Sequence, residues 1–397
     1  MRANPIAPFV TGLSGAAVHR QLTQSAESIV LDAMAIQQIA APTFAEARRA
    51  EYMQARFALL PTIQDVRRDG LDNVYARLPG SDPTYPAIFV SAHTDTVFPA
   101  DTALTIERTP TQVYGPGIGD NSLGVATLLA LPGLIADQPR RGDLWLIANT
   151  REEGLGDLGG IRAVLDHFAA AEPPVKIGAG IVMEGIAYNQ IYHAGIAVRR
   201  LRIAVQAAGG HSWLHFGQPS AIHMLVQIAQ RITLLSVPET PRTTYNIGLI
   251  EGGHSVNSIA TDAALTIDLR SEDPATLALL ESAVRVCCTG LDLAGSKVTI
   301  TVVGDRPAGS IPVTHALVQM ACGAIEATGH RPSLRAGSTD ANLPLARGIP
   351  TVTVGITSGG NAHRLDEYID LPPIRTGLWQ LALLTLAAAN DLFPSSS

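Results

Sequence analysis

DLWLIANTREEGLGDLGG, residues Asp143–Gly160, holds within eighteen positions the grammar that decides the fold. Asp143–Asn149 is a short apolar run that stops abruptly at Thr150-Arg151-Glu152-Glu153. A glycine-rich turn follows, and Ile161–Phe168 then spaces its apolar residues as a helix does. A run that is apolar at nearly every position reads as a strand covered on both faces, the habit of parallel sheets flanked by helices. The same pattern recurs on either side. Ala87–Ser91 (AIFVS) stops at His93-Thr94-Asp95-Thr96, and Ile177–Met183 (IGAGIVM) ends at Glu184. A helix over Leu123–Leu134 opens after Gly119-Asp120-Asn121-Ser122, and helices are expected within Ala26–Leu60. After Gly309 come a helix over His315–Thr328, a strand over Thr351–Gly355 and a helix over Thr376–Leu392. This is an α/β fold with a mixed, largely parallel sheet.

The pattern changes between Val198 and Ala308. Leu201–Ala207 and Lys297–Val303 alternate polar and apolar residues, Thr244–Ile250 and Ala263–Arg270 read as strands with one wetted face, and Ala221–Leu234 and Thr276–Cys288 read as helices. The order β-α-β-β-α-β fits an α+β two-layer sandwich on an antiparallel sheet. Two domains are therefore expected: residues 1–197 with 309–397, and an inserted domain over 198–308.

A length of 397 residues suits about two domains of ordinary size. With 46% hydrophobic and 16% charged residues the chain is not intrinsically disordered. A net charge of −7 argues against a broad basic surface for nucleic acid. No run of uninterrupted apolar residues is long enough for a spanning helix, the first residues do not resemble a secretory signal, and the final PSSS reads as a frayed tail. Three cysteines, two of them adjacent (Cys287, Cys288), cannot staple a chain of this size, and Cys322 reads as a buried free thiol. The expectation is a soluble protein of a reducing compartment, the cytoplasm, with no membrane and no nucleic-acid partner.

Position is the informative property of the acids and histidines. In open α/β sheets ligands collect outside the carboxyl ends of the strands, and here the strands stop at His93 and Asp95, at Glu152 and Glu153, and at Glu184. Asp120 and His363 lie in glycine-rich loops. Asp120 taken alone could be a helix N-cap, and His363 alone a loop histidine. Adjacent carboxylates at a buried strand end repel unless something positive holds them, and so many coincidences favour convergence on a cation. Imidazole and carboxylate without cysteine suit an open catalytic site for zinc or a similar divalent metal. Asp120, Glu153 and Glu184 with one hydroxide would balance two such ions, leaving Glu152 as general base and Asp95 to hold the His93 imidazole from behind.

Taken together, SAHTDTV (Ser91–Val97), GIGDNSLGVA (Gly117–Ala126), TREEGLGDLGG (Thr150–Gly160), VMEG (Val182–Gly185), GGHSW (Gly209–Trp213), GGHSVNSIA (Gly252–Ala260), DLRS (Asp268–Ser271), GSTDAN (Gly337–Asn342) and the HRLDE around His363 resemble the M20 metallopeptidase family, which includes glutamate carboxypeptidase, the aminoacylases, succinyl-diaminopimelate desuccinylase and peptidase T. The resemblance implies a zinc-exopeptidase-like catalytic domain with a cocatalytic pair of divalent ions, zinc first and manganese or cobalt as alternatives. It implies one ion on His93 and Glu184, the other on Glu153 and His363, and Asp120 between them. Glu152 matches the general base and Asp95 the residue supporting the first histidine. The inserted domain matches a lid that also forms a homodimer, through which His211 reaches the neighbouring subunit's site and steadies an oxyanion. Asn257 and Arg270 match positions that hold a substrate carboxylate, and Arg306 joins them. His254 is not a hallmark of the family, Trp213 reads as packing, and Ser220-Ala221 stands where the family has Asn-Ala.

The activity implied is hydrolysis of an amide C–N bond in a small substrate with a free carboxylate, a dipeptide or an N-acyl amino acid. Glu184, rather than Asp, resembles the carboxypeptidase and acylase branches. A peptidase T type aminopeptidase and a non-peptide C–N hydrolase are the alternatives. Gly154, Gly156 and Gly159 satisfy the dinucleotide-binding G-x-G-x-x-G, but the acids around them would repel a pyrophosphate. Neither Gly210-His211-Ser212 nor Gly253-His254-Ser255 completes a nucleophile elbow, since Leu214 and Asn257 stand where glycine is needed. A non-catalytic binding protein would be expected to lack the base or a ligand, and Glu152 and all five candidate ligands are present.

Overall fold

A computed structural model describes residues 6–290 and 295–392. The first residues and the PSSS stretch fall outside the described residues. The chain divides into two compact units, 1–195 with 309–397 and 196–308.

The first unit is built on a nine-stranded sheet. Its centre is four parallel neighbours in the order Leu144–Asn149, Ala87–His93, Ile177–Tyr188 and Thr351–Gly355. Antiparallel Val74–Leu78 and Gln64–Arg68 extend one side, and Gln190–Gly195, with Gly309–Ser310 and Ser333–Gly337, the other. Alternate residues of a strand face opposite ways, and both faces here are covered. Ile88, Val90, Leu144, Leu146 and Ile181 join one buried cluster with the helices Ala16–Gln37, Leu123–Ile135 and Ile374–Asp391. Phe89, Trp145, Ile147 and Val182 face the other way, onto Ile161, Val164 and Phe168 of the helix Gly159–Ala170. Burial on both faces accounts for the unbroken apolar runs.

The Ile177–Met183 strand does not end at Glu184 but continues to Tyr188. Its pairing with Thr351–Gly355 jumps from Met183 opposite Val354 to Tyr188 opposite Gly355, so Glu184 sits in a bulge that aims it out of the ladder. Gly355 permits the bulge, because a Cβ there would lie 2.1 Å from the Glu184 carbonyl oxygen. Residues Ile118–Ile135 are apolar and long enough to cross a membrane by composition alone, yet 83% of that run is buried within the fold. Cys322 is half-buried rather than buried, and Cys287 and Cys288 are buried, all three as free thiols.

The second unit is a four-stranded antiparallel sheet in the order Thr243–Gly252, Asp262–Ser271, Ala197–Gln206 and Lys297–Arg306. The helices Ala221–Thr233 and Pro274–Cys287 pack on one face through Leu225, Ile228, Leu280 and Val284 against Leu201, Ile203, Leu265 and Ile267. Asp273 caps the second helix, accepting from Thr276 N at 2.7 Å, with Pro274 at the first helical position. Trp213 does not serve as packing: it is 84% exposed, in the turn that follows the short pairing of Gly210–His211 with Ser258–Ile259.

Candidate metal centre

The carboxyl ends of the parallel strands carry the site. His93 closes its strand and is buried. Its Nδ1 lies 3.1 Å from the Asp95 carbonyl oxygen and 3.5 Å from Asp95 Oδ1. Both neighbours are acceptors, so the Nδ1 proton belongs there and Nε2 is left to face the site. That Nε2 is 3.0 Å from Asp120 Oδ1 and 3.7 Å from Glu184 Oε2. Across the site, His363 Nε2 is 3.1 Å from Asp120 Oδ2 and 3.1 Å from Glu153 Oε1. The two oxygens of Asp120 thus address two different imidazoles.

His93, Asp120 and Glu184 form one set with donor atoms within 4.8 Å of one another, and Asp120, Glu153 and His363 form another. His93, Glu152 and Glu153 also meet within that distance, which places the Glu152 carboxylate beside both sets and outside the sharing of Asp120. Asp120 is not a helix cap: the helix begins at Leu123 after Ser122, and no side chain among the described residues caps it.

Asp95 does more than orient His93. Fully buried, it accepts from Glu152 N at 3.0 Å, Glu153 N at 2.9 Å and Thr43 Oγ1 at 2.9 Å, fixing the backbone of the Glu152-Glu153 pair. Three further residues carry roles that sequence reasoning missed. Asn121 donates from Nδ2 to Met183 O at 2.7 Å and accepts from Gly185 N at 3.1 Å, gripping both flanks of Glu184. Glu367, four positions after His363, binds the backbone of the Asp120 loop. Asp340, in GSTDAN, is fully buried and accepts from Asn149 Nδ2 at 2.7 Å. Adjacency to a candidate ligand or membership of a quoted motif was the only available signal for each.

Charge shows what the cluster lacks. Burial, then the repulsion of Asp120 and Glu152, pushes Glu184 up to about 7. Burial, then Glu152, holds Asp340 well above the usual carboxylate range. Glu153 is raised by burial, an effect its hydrogen bond to His363 only partly offsets. Burial would lower His93, but the carboxylates of Asp120, Asp95 and Glu184 outweigh it and hold the imidazole well above its ordinary value. Hydrogen bonds to Asp120 and Glu153 raise His363 to about 10. No lysine or arginine pairs with Asp120, Glu153 or Glu184 among the described residues. Protons stand in for the missing positive charge, and this set of oxygens and imidazole nitrogens fits divalent ions.

His211, Asn257, Arg270 and Arg306 belong to the second unit. His211 is exposed, its Nδ1 accepting from Trp213 N at 3.2 Å, and the neighbouring Ser212 N donates to Asn257 O at 3.0 Å. Asn257 Oδ1 accepts from Ser255 Oγ at 2.6 Å. Arg270 is engaged by its own strand, with Nε 2.6 Å from Asp268 Oδ1, and Asp268 also receives Arg200 Nε at 2.9 Å. Arg306 ends the Lys297–Arg306 strand and is buried. His254 is exposed, with Nε2 3.5 Å from Ser258 Oγ. The Gly154–Gly156 turn is entered through Glu153, whose carboxylate faces His363, so a pyrophosphate there would meet acid rather than bare amides.

A sequence model of the peptidase family M20/M25/M40 matches residues 89–386. A protein of Mycobacterium tuberculosis with the provisional name succinyl-diaminopimelate desuccinylase DapE is 27% identical over 293 residues, covering 71% of this chain and 77% of its own length. Among solved structures, the aminopeptidase PepT of Bacillus cereus superposes with a TM-score of 0.70 at 20% identity, covering 92% of this chain and 99% of that one. A tripeptidase of Staphylococcus aureus superposes with a TM-score of 0.71 at 19% identity, over 91% and 98% of the two chains.

Proposed function

Since the chain belongs to the peptidase family M20/M25/M40 and is a hydrolase of it, we propose that it uses two divalent ions to cleave an amide C–N bond in a small substrate bearing a free carboxylate, a dipeptide or an N-acyl amino acid. The observation that carries the reading is the double engagement of Asp120, with one oxygen 3.0 Å from His93 and the other 3.1 Å from His363. His93 and Glu184 would hold one ion, Glu153 and His363 the other, and Asp120 both. Zinc suits this donor set best, and manganese or cobalt would also be accepted. When bound, the ions supply a Lewis acid for the scissile carbonyl and lower the pKa of the attacking water from about 15.7 towards 7.

The rest is done by the chain. Glu152 takes a proton from the attacking water as its oxygen bonds to the carbonyl carbon. The same carboxyl then gives that proton to the amine nitrogen as the C–N bond breaks. His93 and Asp95 keep their geometry throughout, since the Asp95 carboxylate ties the backbone of Glu152 and Glu153 to the strand that ends in His93. Asn257, Arg270 and Arg306 are the proposed anchors for the substrate carboxylate, and Arg270 would exchange its bond to Asp268 for one to substrate.

The inserted unit is proposed as a lid and as the interface of a homodimer that brings His211 to the neighbouring subunit's oxyanion. In support, its Thr243–Gly252 strand lies at the edge of its sheet, with no second neighbour among the described residues, and carries exposed Leu249 and Ile250, beside exposed Val226 of the helix Ala221–Thr233. Such an edge invites pairing with a second copy. A cytoplasmic location belongs to the same reading, supported by three free thiols.

The substrate class is tested by reconstituting metal-stripped protein with zinc, manganese or cobalt and assaying dipeptides, N-acyl amino acids and their C-amidated forms. Hydrolysis is expected to need the free carboxylate and to tolerate a blocked amine. A requirement for a free amine instead would favour the aminopeptidase alternative, and cleavage of amidated substrates at equal kcat/KM would remove the anchor. For the cross-subunit role, His211→Ala is expected to lower kcat by roughly 10²–10³-fold, the scale of one oxyanion donor. Mixing it with equal Glu152→Gln protein should then restore about a quarter of wild-type activity, because each mixed dimer holds one site with both groups intact. A mixture as inactive as its parts would show that His211 does not act across subunits.

A further inference from the structure

Asp120 can serve two ion positions only if its backbone is held, and no regular structure holds it. Its φ and ψ are −117° and 87°, those of Asn121 are −135° and 35°, and both break the helical turn around them. Among the described residues, the side chain that binds the backbone amides at this kink is Glu367. Glu367 Oε1 accepts from Gly119 N at 2.7 Å and from Asp120 N at 2.8 Å, and Oε2 accepts from Gly117 N at 3.1 Å. Glu367 is fully buried, so its two carboxyl oxygens meet these backbone amides in the interior, away from solvent. Gly119 allows the approach: a Cβ there would stand 3.2 Å from Glu367 Oε1 and 2.6 Å from Ile186 Cγ2.

Glu367 also belongs to the segment that presents His363. Gly359–Gly360 pairs with Tyr368–Asp370, leaving His363 in the turn between them, and Tyr368–Asp370 pairs with Gln112–Tyr114, the strand that leads into the Asp120 loop. The Glu367 carbonyl oxygen accepts from Gly115 N at 2.8 Å. One residue thus ties the loop of the shared carboxylate to the loop of an imidazole it faces.

We propose that Glu367 is a positioning residue for the metal centre: by binding the amides of Gly117, Gly119 and Asp120 it fixes the one carboxylate that faces both His93 and His363, so that both ion positions depend on it. This rests on the two-ion reading of the site. A glutamine at 367 keeps the volume but exchanges one acceptor for an NH₂ aimed at amide donors, which separates orientation from packing. Outer partners of metal ligands are worth about 10–100-fold in affinity, and that loss is expected here at both positions. His363→Ala, removing a ligand of one position, should weaken chiefly one.

The test titrates metal-stripped wild type, Glu367→Gln and His363→Ala with zinc against a chromogenic chelator, reading two dissociation constants for each. The urea midpoint of each metal-free protein serves as the control for folding. The expected result is both constants weakened 10–100-fold in Glu367→Gln, with turnover recovering as zinc is added. Two constants within about threefold of wild type, or a loss confined to one, would overturn the proposal. Should Glu367→Gln fail to fold, Glu367→Asp, which keeps the charge but falls one methylene short of the amides, carries the same comparison and the same expected direction. Wild type binding fewer than two zinc ions would instead refute the two-ion reading, and this proposal with it.

Discussion

Glu152→Gln is expected to lower kcat by roughly 10²–10⁴-fold, the range assigned to general acid–base catalysis, while zinc content stays at the wild-type level. The substitution is close to isosteric and touches only the end of the side chain, since the Glu152 amide is held separately by Asp95 Oδ1 at 3.0 Å. Glutamine cannot accept the proton of the attacking water, nor hand one to the leaving amine. Metal should stay because neither of the two sets sharing Asp120 draws on Glu152. The metal-free variant should be no less stable than wild type, because it removes one of the like charges that, after burial, raise Asp340 and Glu184. Kinetics at saturating substrate, metal analysis and a urea titration of the same preparation check all three. Residual kcat above about a tenth of wild type would assign the proton transfer elsewhere, and loss of metal would make Glu152 a ligand.

What could be read in the sequence follows burial. The central strands were legible because each is covered on both faces and is apolar at nearly every position, as Ala87–His93 and Leu144–Asn149 are. The outer strand Gln64–Arg68 (QDVRR) is largely exposed and has no apolar run to betray it, and Gln190–Gly195 is only half covered. The overrun of Ile177–Tyr188 past Glu184 depends on Gly355, more than 160 residues away, making room for a bulge. Candidate ligands could be named because strand ends and glycine-rich loops are where such side chains gather. Asn121 and Glu367 could not, because their work is done on backbone atoms 62 and about 250 positions distant, a relation no local spacing records. Trp213 misled because large apolar side chains are usually buried, and this one is presented to solvent.

Removing the metal should have an effect as large as removing the base, and pH gives that prediction its sign. At neutral pH the metal-free site carries extra protons: His363 is raised to about 10 by its bonds to Asp120 and Glu153, His93 is held well above its ordinary value, and Glu184 is raised to about 7 by burial and neighbouring acids. An imidazole must give up its proton to become a ligand. Zinc binding at pH 7 should therefore release about two to three protons, and affinity should climb as pH rises from about 6 to 8. The metal-free protein should behave in the opposite sense where Glu184 dominates. Its folded form holds a proton that the unfolded chain has lost between about 4.5 and 7, so stability falls as pH rises through that window. Bound metal reverses the penalty, adding about 4 kcal/mol at a free concentration a thousandfold above Kd. Calorimetric titration in buffers of different ionisation enthalpy counts the protons, and thermal melts with and without chelator measure the stabilisation. Asp120→Asn is the matching variant: removing the shared charge should empty both positions and bring turnover to background, whereas His363→Ala should spare the position of His93 and Glu184. Zinc binding that releases no proton, or an Asp120→Asn protein that keeps both ions, would mean that the carboxylates and imidazoles gathered here hold one another and not a pair of cations.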